Sequence, residues 1–229
     1  MVIFLEQWRF LLRQPLLLPS KSLSRTIGKM EPQTLIFIGR SGSGKGTQAK
    51  KVAQTLESRD PQSTIIYEET GKLFRAFINE DGYSQRLSKA IMEKSEREPD
   101  FLAVYLWAKS FITQVTDSAH LFIDGSPRSL PEAHMLDTAL SFYNRQAIVI
   151  YLDVPREWAL ERLHQRGRVD DLNPLENEKR MNWFEKDVLP VIDFYQNNPR
   201  YKLITINGNR PIEEVAQDIE QKIFSYGNR

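Results

Sequence analysis

A glycine-rich segment between an apolar run and a polar helical stretch constrains this chain more than any other feature. Residues 34–38 are mostly β-branched or aromatic, as in a buried strand, and residues 39–47 read Gly-Arg-Ser-Gly-Ser-Gly-Lys-Gly-Thr. Glycines let consecutive backbone N–H groups turn around an anion, while a lysine and a helix N-terminus add positive charge. The segment therefore predicts a phosphate-binding loop formed by Gly42, Ser43, Gly44, Lys45, Gly46 and Thr47.

The rest of the chain alternates apolar runs with helical segments. Further runs of strand type cover residues 64–67, 121–123, 147–152 and 202–206, and helical patterns cover 47–58, 70–118 with breaks, 174–195 and 213–225. Strands that are apolar throughout are typical of a parallel sheet with helices on both faces. The sequence predicts an α/β fold, a three-layer sandwich around a five-stranded parallel sheet.

Length and charge limit the organisation of the chain. At 229 residues it suits one domain, predicted over 33–229, preceded by a flexible extension over 1–32. Residues 1–30 hold five basic side chains against one acidic side chain, which leaves 26 basic and 29 acidic groups for the remainder. Because general nucleic-acid binding depends on excess Lys and Arg, a nucleic-acid partner is not expected.

Cysteine usage and apolar runs exclude further classes of protein. The chain has no cysteine, and its three histidines lie far apart, so thiol catalysis, thiolate zinc sites and histidine-based metal hydrolysis are not expected. Its apolar runs are much shorter than the ~20 residues of a membrane-spanning helix. The sequence gives no reason to expect a membrane partner, and a cytoplasmic location is the default prediction.

The phosphate loop carries a resemblance to a known family. Gly46 follows Lys45 where phosphate loops in general have Ser or Thr, and the string continues into Thr47 and Gln48. This variant resembles the nucleoside monophosphate kinases, and the adenylate kinases in particular. The resemblance covers residues 34 to about 225 and implies the strand order 2-3-1-4-5. It also implies two mobile insertions, an acceptor-nucleotide insertion at about 70–100 and a short lid at about 164–176.

Two further motifs resemble the acceptor side of that family. Thr70-Gly71-x-x-x-Arg75 follows the second strand, and Asp124-Gly125-Ser-Pro-Arg128 ends the third. A guanidinium in either place suits a phosphate, although each motif alone also fits a helix cap or a turn. The resemblance implies that Asp124 holds Mg²⁺ through water. It also implies that the acceptor monophosphate is bound by Thr70, Gly71, Arg75, Gly125, Arg128 and Glu132.

The donor side and the lid show the same likeness. Residues 161–171 read Glu-Arg-Leu-His-Gln-Arg-Gly-Arg-Val-Asp-Asp, a string that would otherwise be interpreted as a solvated helix face. In the family, such a string supplies Arg162 to the donor base. The resemblance further implies that Gly208 and Arg210 hold the donor adenine. The catalytic residues that it implies are Lys45, Arg128, Arg166, Arg168, Asp170, Asp171 and Arg180.

Several positions depart from the adenylate kinase pattern and concern base selectivity. Ser126 replaces phenylalanine, Glu132 replaces the glutamine that reads the adenine edge, and Lys72 replaces aspartate. Residues 95–99, Ser-Glu-Arg-Glu-Pro, take the place of a more apolar segment that lines the acceptor base in the family. A carboxylate at position 132 accepts hydrogen bonds from an exocyclic amine, which leaves adenine and cytosine open.

The function predicted from this resemblance is reversible transfer of the ATP γ-phosphoryl group to AMP, giving two ADP, with Mg²⁺ and as a monomer. A CMP, UMP or other nucleoside monophosphate kinase is the main alternative. A nucleotide-binding regulatory protein without turnover would have lost Lys45 or a clamp arginine, and none is missing. A small-metabolite kinase would have no use for the two acceptor motifs.

Overall fold

The computed structural model describes residues 30–167 and 171–225. Within these ranges the chain forms one five-stranded parallel sheet with helices packed around it. The strands are β1 (Thr34–Gly39), β2 (Ile65–Glu69), β3 (His120–Asp124), β4 (Ala147–Asp153) and β5 (Tyr201–Asn207). Their spatial order is β2-β3-β1-β4-β5, which confirms the predicted order and the α/β class.

The helices follow the strands in the alternation that parallel pairing requires. They are α1 (Lys45–Arg59), α2 (Thr70–Phe77), α3 (Tyr83–Glu93), α4 (Asp100–Gln114), α5 (Leu130–Phe142), α6 (Arg156–Arg166), α7 (Pro174–Trp183), α8 (Leu189–Gln196) and α9 (Ile212–Phe224). None of the helices in the described ranges is both long and apolar enough to cross a bilayer.

The strand register brings the ends of the central strands together. β1 pairs with β3 so that Phe37 lies opposite Asp124, and β2 pairs with β3 so that Glu69 also lies opposite Asp124. β1 therefore lies between strands reached by crossovers in opposite directions. In such a sheet the carboxyl edge beside the central strand is a natural binding crevice.

The hydrophobic core lies along the central strands and the helices that cover them. β1 and β3 are buried along almost their whole length, as their uninterrupted apolar character predicts. Trp107 and Phe111 of α4, Leu136 and Leu140 of α5 and Tyr195 of α8 pack in the same cluster as these strands. This core gives the carboxyl edge of the sheet a rigid base.

Two helical regions differ from the sequence prediction. The segment predicted as one helix over 174–195 is α7, a π-helical turn over Phe184–Val188, and α8. Pro190 has no N–H to donate to the carbonyl four residues before it, so the α-helical ladder is interrupted here. α5 is not among the predicted helices. It begins at the Ser129 cap, whose hydroxyl accepts from the Glu132 N–H at 3.3 Å.

Candidate active site

A cleft of about 610 Å³ opens at the carboxyl edge of the sheet. Its walls come from the loop after β1, from α2, from the loop after β3, and from α6 and α7. Most of the residues predicted to bind nucleotides line this cleft. They are Gly42, Gly44, Lys45, Gly46, Thr47, Gly71, Arg75, Asp124, Gly125, Arg128, Arg162, Arg166 and Arg180.

The loop after β1 is shaped by two glycines in the left-handed region, Gly42 with φ 85° and Gly44 with φ 86°. A Cβ atom on Gly42 would lie 2.3 Å from the carbonyl oxygen of Ala159, so only glycine lets the loop approach α6 this closely. A Cβ on Gly44 would meet no atom within 4 Å. Ser43 is buried beneath the loop, and its N–H donates to the Arg40 carbonyl at 3.0 Å.

Lys45 begins α1 and supplies the cation of the loop. Its Nζ donates to the Arg40 carbonyl oxygen at 3.3 Å. Burial lowers the pKa of Lys45 to about 8, with Arg128 and Arg166 acting in the same direction, while Asp124 opposes the shift. An ammonium held among other cations is electrostatically suited to a polyanion, which would restore its protonation.

Asp124 ends β3 beside the phosphate loop. The hydroxyl of Tyr67 donates to its Oδ2 at 3.1 Å, and a Cβ on Gly46 would lie 3.0 Å from the same oxygen. Burial raises the pKa of Asp124, and Lys45 counteracts that shift. An oxygen donor next to a phosphate cradle fits Mg²⁺, which keeps most of its waters and needs few protein ligands. In the described ranges no three acidic or histidine side chains group together as a metal site.

The acceptor side of the cleft is built on α2 and on the loop after β3. Arg75 lies over Gly71, where a Cβ would be 3.2 Å from its Nη1, and its Nη2 donates to Glu69 Oε1 at 2.8 Å. Arg128 donates from Nε to the Gly125 carbonyl at 2.6 Å, and its guanidinium lies 5.8 Å from the ring centre of Trp183. Both arginines line the one cleft.

Two predicted acceptor residues lie below the cleft surface. Thr70 and Ser126 share a hydrogen bond of 2.7 Å between their hydroxyls, and Thr70 is buried. Glu132 is 1% exposed. Its carboxylate accepts from the Ser126 hydroxyl at 2.7 Å and from the Arg128 N–H at 2.6 Å. Glu132 therefore fixes the loop that carries Arg128, and its predicted contact with the acceptor base stays a prediction.

One carboxylate binds two of the arginines that are predicted to belong to the lid. Asp171 is fully buried and accepts from Arg166 Nε at 2.6 Å and Nη2 at 2.8 Å, and from Arg180 Nη1 at 2.9 Å. Arg180 also donates to the Ser95 hydroxyl at 3.2 Å, which joins α7 to the loop after α3. Arg168 and Asp170, both predicted as catalytic, lie outside the described residues.

The two residues predicted to hold the donor adenine, Gly208 and Arg210, make hydrogen bonds to other parts of the chain. Gly208 donates its N–H to the Asp153 carbonyl at 2.9 Å, and a Cβ there would come within 2.7 Å of Val154. Arg210 pairs with Asp218 at 2.7 Å and donates to the Asn207 carbonyl at 3.1 Å. Neither residue lines the cleft, and their contact with the donor base stays a prediction.

Some residues in and beside the cleft were not predicted from the sequence. Glu69 and Trp183 line the cleft beside Arg75 and Arg128, and Tyr67 orients Asp124. Tyr67 and Glu69 alternate along β2 on the face opposite Glu68, a period-two pattern that could have placed them beside the phosphate loop. Trp183 carries no such signal, because the helix register that turns it towards Arg128 depends on packing.

The cleft defines a class of protein. A phosphate loop, a buried carboxylate beside it and arginines on opposite walls suit phosphoryl transfer between two bound nucleotides, the chemistry of a nucleoside monophosphate kinase. Residues 37–200 match the family model described as Adenylate kinase. The chain belongs to the adenylate kinase family, as the sequence motifs predict.

Curated relatives agree over most of the chain. The adenylate kinase of Prochlorococcus marinus strain MIT 9515 is 32% identical over 190 residues, which cover 82% of this chain and 97% of the relative. Adenylate kinase 1 of Synechocystis is 34% identical over 190 residues, with 82% and 96% covered. The adenylate kinase of Helicobacter pylori is 30% identical over 200 residues, with 86% and 99% covered.

Proposed function

We propose that this protein catalyses the reversible reaction ATP + AMP ⇌ 2 ADP in the cleft at the carboxyl edge of its sheet. The observation that carries the proposal is the convergence of cationic side chains on that one cleft, among them Lys45, Arg75, Arg128, Arg166 and Arg180. Two nucleotides bound end to end bring several phosphate groups into such a space. The cleft then neutralises charge in the ground state and, more strongly, in the transition state.

Lys45 and the backbone of residues 42–47 would hold the β- and γ-phosphates of the donor. Gly42 and Gly44 have positive φ angles, a conformation that lets consecutive N–H groups surround an anion, and the N-terminus of α1 adds positive potential. Arg162 also lines the cleft, and it would pack against the donor base. This half of the cleft positions the γ-phosphorus.

Arg75 and Arg128 would hold the acceptor monophosphate. Each guanidinium has a bonded partner that fixes its orientation, Glu69 for Arg75 and the Gly125 carbonyl for Arg128. Both can still offer N–H groups to a phosphate in the cleft. The acceptor oxygen is already anionic, so the chain needs no general base and contributes alignment instead.

Arg166 and Arg180 would spread positive charge around the transferring group. Asp171 holds both in one geometry, which lowers the entropy lost when they contact a phosphate. The insertions at about 70–100 and 164–176 are proposed to close over the nucleotides, because water would otherwise compete as the acceptor.

Asp124 would hold Mg²⁺ through water beside the donor phosphates. When bound, the ion neutralises charge on the β- and γ-phosphate oxygens. The contribution of the chain is a carboxylate held in place by Tyr67 and by the packing of Gly46.

A coupled assay of ADP formation across AMP, CMP, UMP, GMP and dAMP tests the proposal. We expect AMP to give the highest kcat/KM, and Lys45→Met to lower kcat by about 10²-fold or more because it removes a preorganised cation. Lys51→Met is the matched control, since Lys51 pairs with Glu213 away from the cleft. A folded Lys45→Met protein with undiminished turnover would contradict the proposal.

Two coarser expectations accompany the activity. We propose that the protein acts as a monomer in the cytoplasm, as the sequence analysis predicts. Sedimentation of the full-length chain with and without ATP, and fractionation of the cells that make it, measure these two properties directly.

A further inference from the structure

An ion network outside the cleft joins the phosphate loop to the two helices of the predicted lid. Glu185, in the π-helical turn after α7, accepts at Oε1 from Arg40 Nη2 at 3.2 Å and at Oε2 from Arg156 Nη1 at 3.1 Å. None of these three residues lines the cleft. Any effect of the network on the reaction must therefore pass through the elements that it connects.

On one side of the network, Arg156 fastens α6 to α7. Arg156 is the first residue of α6. Its guanidinium donates to the Asn182 side chain of α7 at 2.7 Å and pairs with Glu178 one turn earlier in that helix. Arg180 lies between these two partners on α7, and Arg166 ends α6. Arg156 therefore fixes the relative orientation of the two helices that carry these cleft arginines.

On the other side of the network, Arg40 belongs to the loop after β1. Its carbonyl oxygen accepts from Lys45 Nζ at 3.3 Å and from the Ser43 N–H at 3.0 Å. Its side chain is 14% exposed, and its guanidinium lies 4.7 Å from the ring centre of Phe184. The backbone that receives the Lys45 ammonium is therefore attached, through one side chain, to the turn that holds Glu185.

The exposure of the network separates its effect on stability from its effect on geometry. The Glu185 side chain is 38% exposed and the Arg156 side chain is 26% exposed. Ion pairs exposed to this degree contribute little to the stability of a fold. A displacement of about 1 Å among groups that align a reaction, in contrast, costs up to about 10²-fold in rate. Loss of the network should therefore change the rate of transfer more than the stability.

We infer that Glu185 is a positioning residue for phosphoryl transfer: through Arg40 and Arg156 it holds Lys45 and the arginines of α6 and α7 in one arrangement. The inference rests on the proposed function, because it takes these cations to surround the transferring group. Glu185 acts on the alignment of the donor phosphates and the transferring group. The arginines proposed to hold the acceptor monophosphate, on α2 and on the loop after β3, lie outside the network.

The test replaces Glu185 with glutamine, which keeps the shape of the side chain. The amide offers an oxygen to one arginine and an NH₂ group to the other, so one half of the link is lost. We expect Glu185→Gln to lower kcat about tenfold and to leave the KM for ATP and for AMP within about twofold, the signature of alignment lost in the transition state. Glu213→Gln is the matched control and should keep kcat, because Glu213 pairs with Lys51 away from the cleft.

Substitutions of the two arginines distinguish one link from two independent contacts. Arg40→Met and Arg156→Met each cut the same link. The kcat of the double variant should therefore lie within about twofold of the lower single variant, instead of showing the product of two losses. These variants stay informative if Glu185→Gln folds poorly. Circular dichroism and urea denaturation measure the folded fraction of each protein under the assay conditions.

Three outcomes would overturn the inference alone. These are a kcat for folded Glu185→Gln that equals that of the unmodified protein, an equal loss in Glu213→Gln, and losses that multiply in the double arginine variant. An unmodified protein that forms no ADP from ATP and any of the monophosphates would instead overturn the proposed function itself.

Discussion

At the scale of single residues, the cleft contains a carboxylate that competes with the substrate. Glu69 pairs with Arg75 at 2.8 Å, and the Arg75 side chain remains 45% exposed. A monophosphate that binds Arg75 must share or displace this partner. Glu69 therefore orients the guanidinium, and it would lower the affinity of Arg75 for a monophosphate.

We predict that Glu69→Gln lowers the KM for AMP by about two- to fivefold, because a partly exposed ion pair contributes about 0.2–1 kcal/mol. The KM for ATP should change little. Steady-state kinetics with each nucleotide varied in turn measures both values, and Glu96→Gln is the control for the loss of one negative charge. A raised KM for AMP would instead assign Glu69 a purely orienting role.

At the scale of elements, one carboxylate holds the lid arginines of two helices. Asp171 pairs with Arg166 at the end of α6 and with Arg180 of α7, and the Asn177 amide donates to its carbonyl at 2.8 Å. The Ser95 hydroxyl then donates to Glu176 at 2.5 Å, which ties α7 to the loop after α3. A polar network thus joins α6 and α7 to the loop after α3.

We predict that Asp171→Ala lowers kcat by about 10- to 100-fold, because two arginines lose their common anchor. It should also lower the free energy of unfolding by about 2–3 kcal/mol, less than for a fully buried pair because Arg166 is about one third exposed. Urea denaturation and the coupled assay measure the two effects. The exposed Asp193→Ala is the control, and unimpaired turnover in Asp171→Ala would count against the anchoring role.

At the scale of the whole molecule, a histidine at the start of β3 links two other segments at the edge of the sheet opposite the cleft. His120 is fully buried, accepts from the Gln33 N–H at Nδ1 over 2.9 Å, and lies 3.3 Å from Asp60 through Nε2. The Gln33 contact requires Nδ1 to be unprotonated. Burial lowers the pKa of His120, although Asp60 opposes the shift.

We predict that His120 destabilises the fold in acid. Because its folded pKa lies below the unfolded value of about 6.5, the unfolded chain binds more protons as the pH falls below that value, and stability is lost. As the pH is lowered below about 6.5, the free energy of unfolding should decrease more steeply than in His120→Asn, by up to about 1.4 kcal/mol per pH unit. The exposed His164→Asn should keep the slope, whereas equal slopes in all three proteins would refute this role.

The fold was predictable because its signals are local. The apolar strands and the glycine-rich loop over residues 39–47 can each be recognised within a short stretch of sequence. That loop predicts where the donor phosphates would bind. The role of Glu132 was not predictable, since it depends on the loop between β3 and α5 folding back so that the Ser126 hydroxyl and the Arg128 N–H reach its carboxylate. The π-helical turn before Pro190 likewise follows from packing.

The contacts of Arg40 limit how the loop over residues 39–47 can be exchanged in an engineered protein. Its guanidinium pairs with Glu185 at 3.2 Å and stacks over Phe184 at 4.7 Å, while Glu185 also receives Arg156 at 3.1 Å. Arg40 thus links the loop over residues 39–47 to the π-helical turn that holds Glu185, 145 positions later in the chain. In a chimera that takes the loop over residues 39–47 from another protein, residue 185 would have to be chosen to pair with the new residue 40. Otherwise the contact between the two segments would be lost.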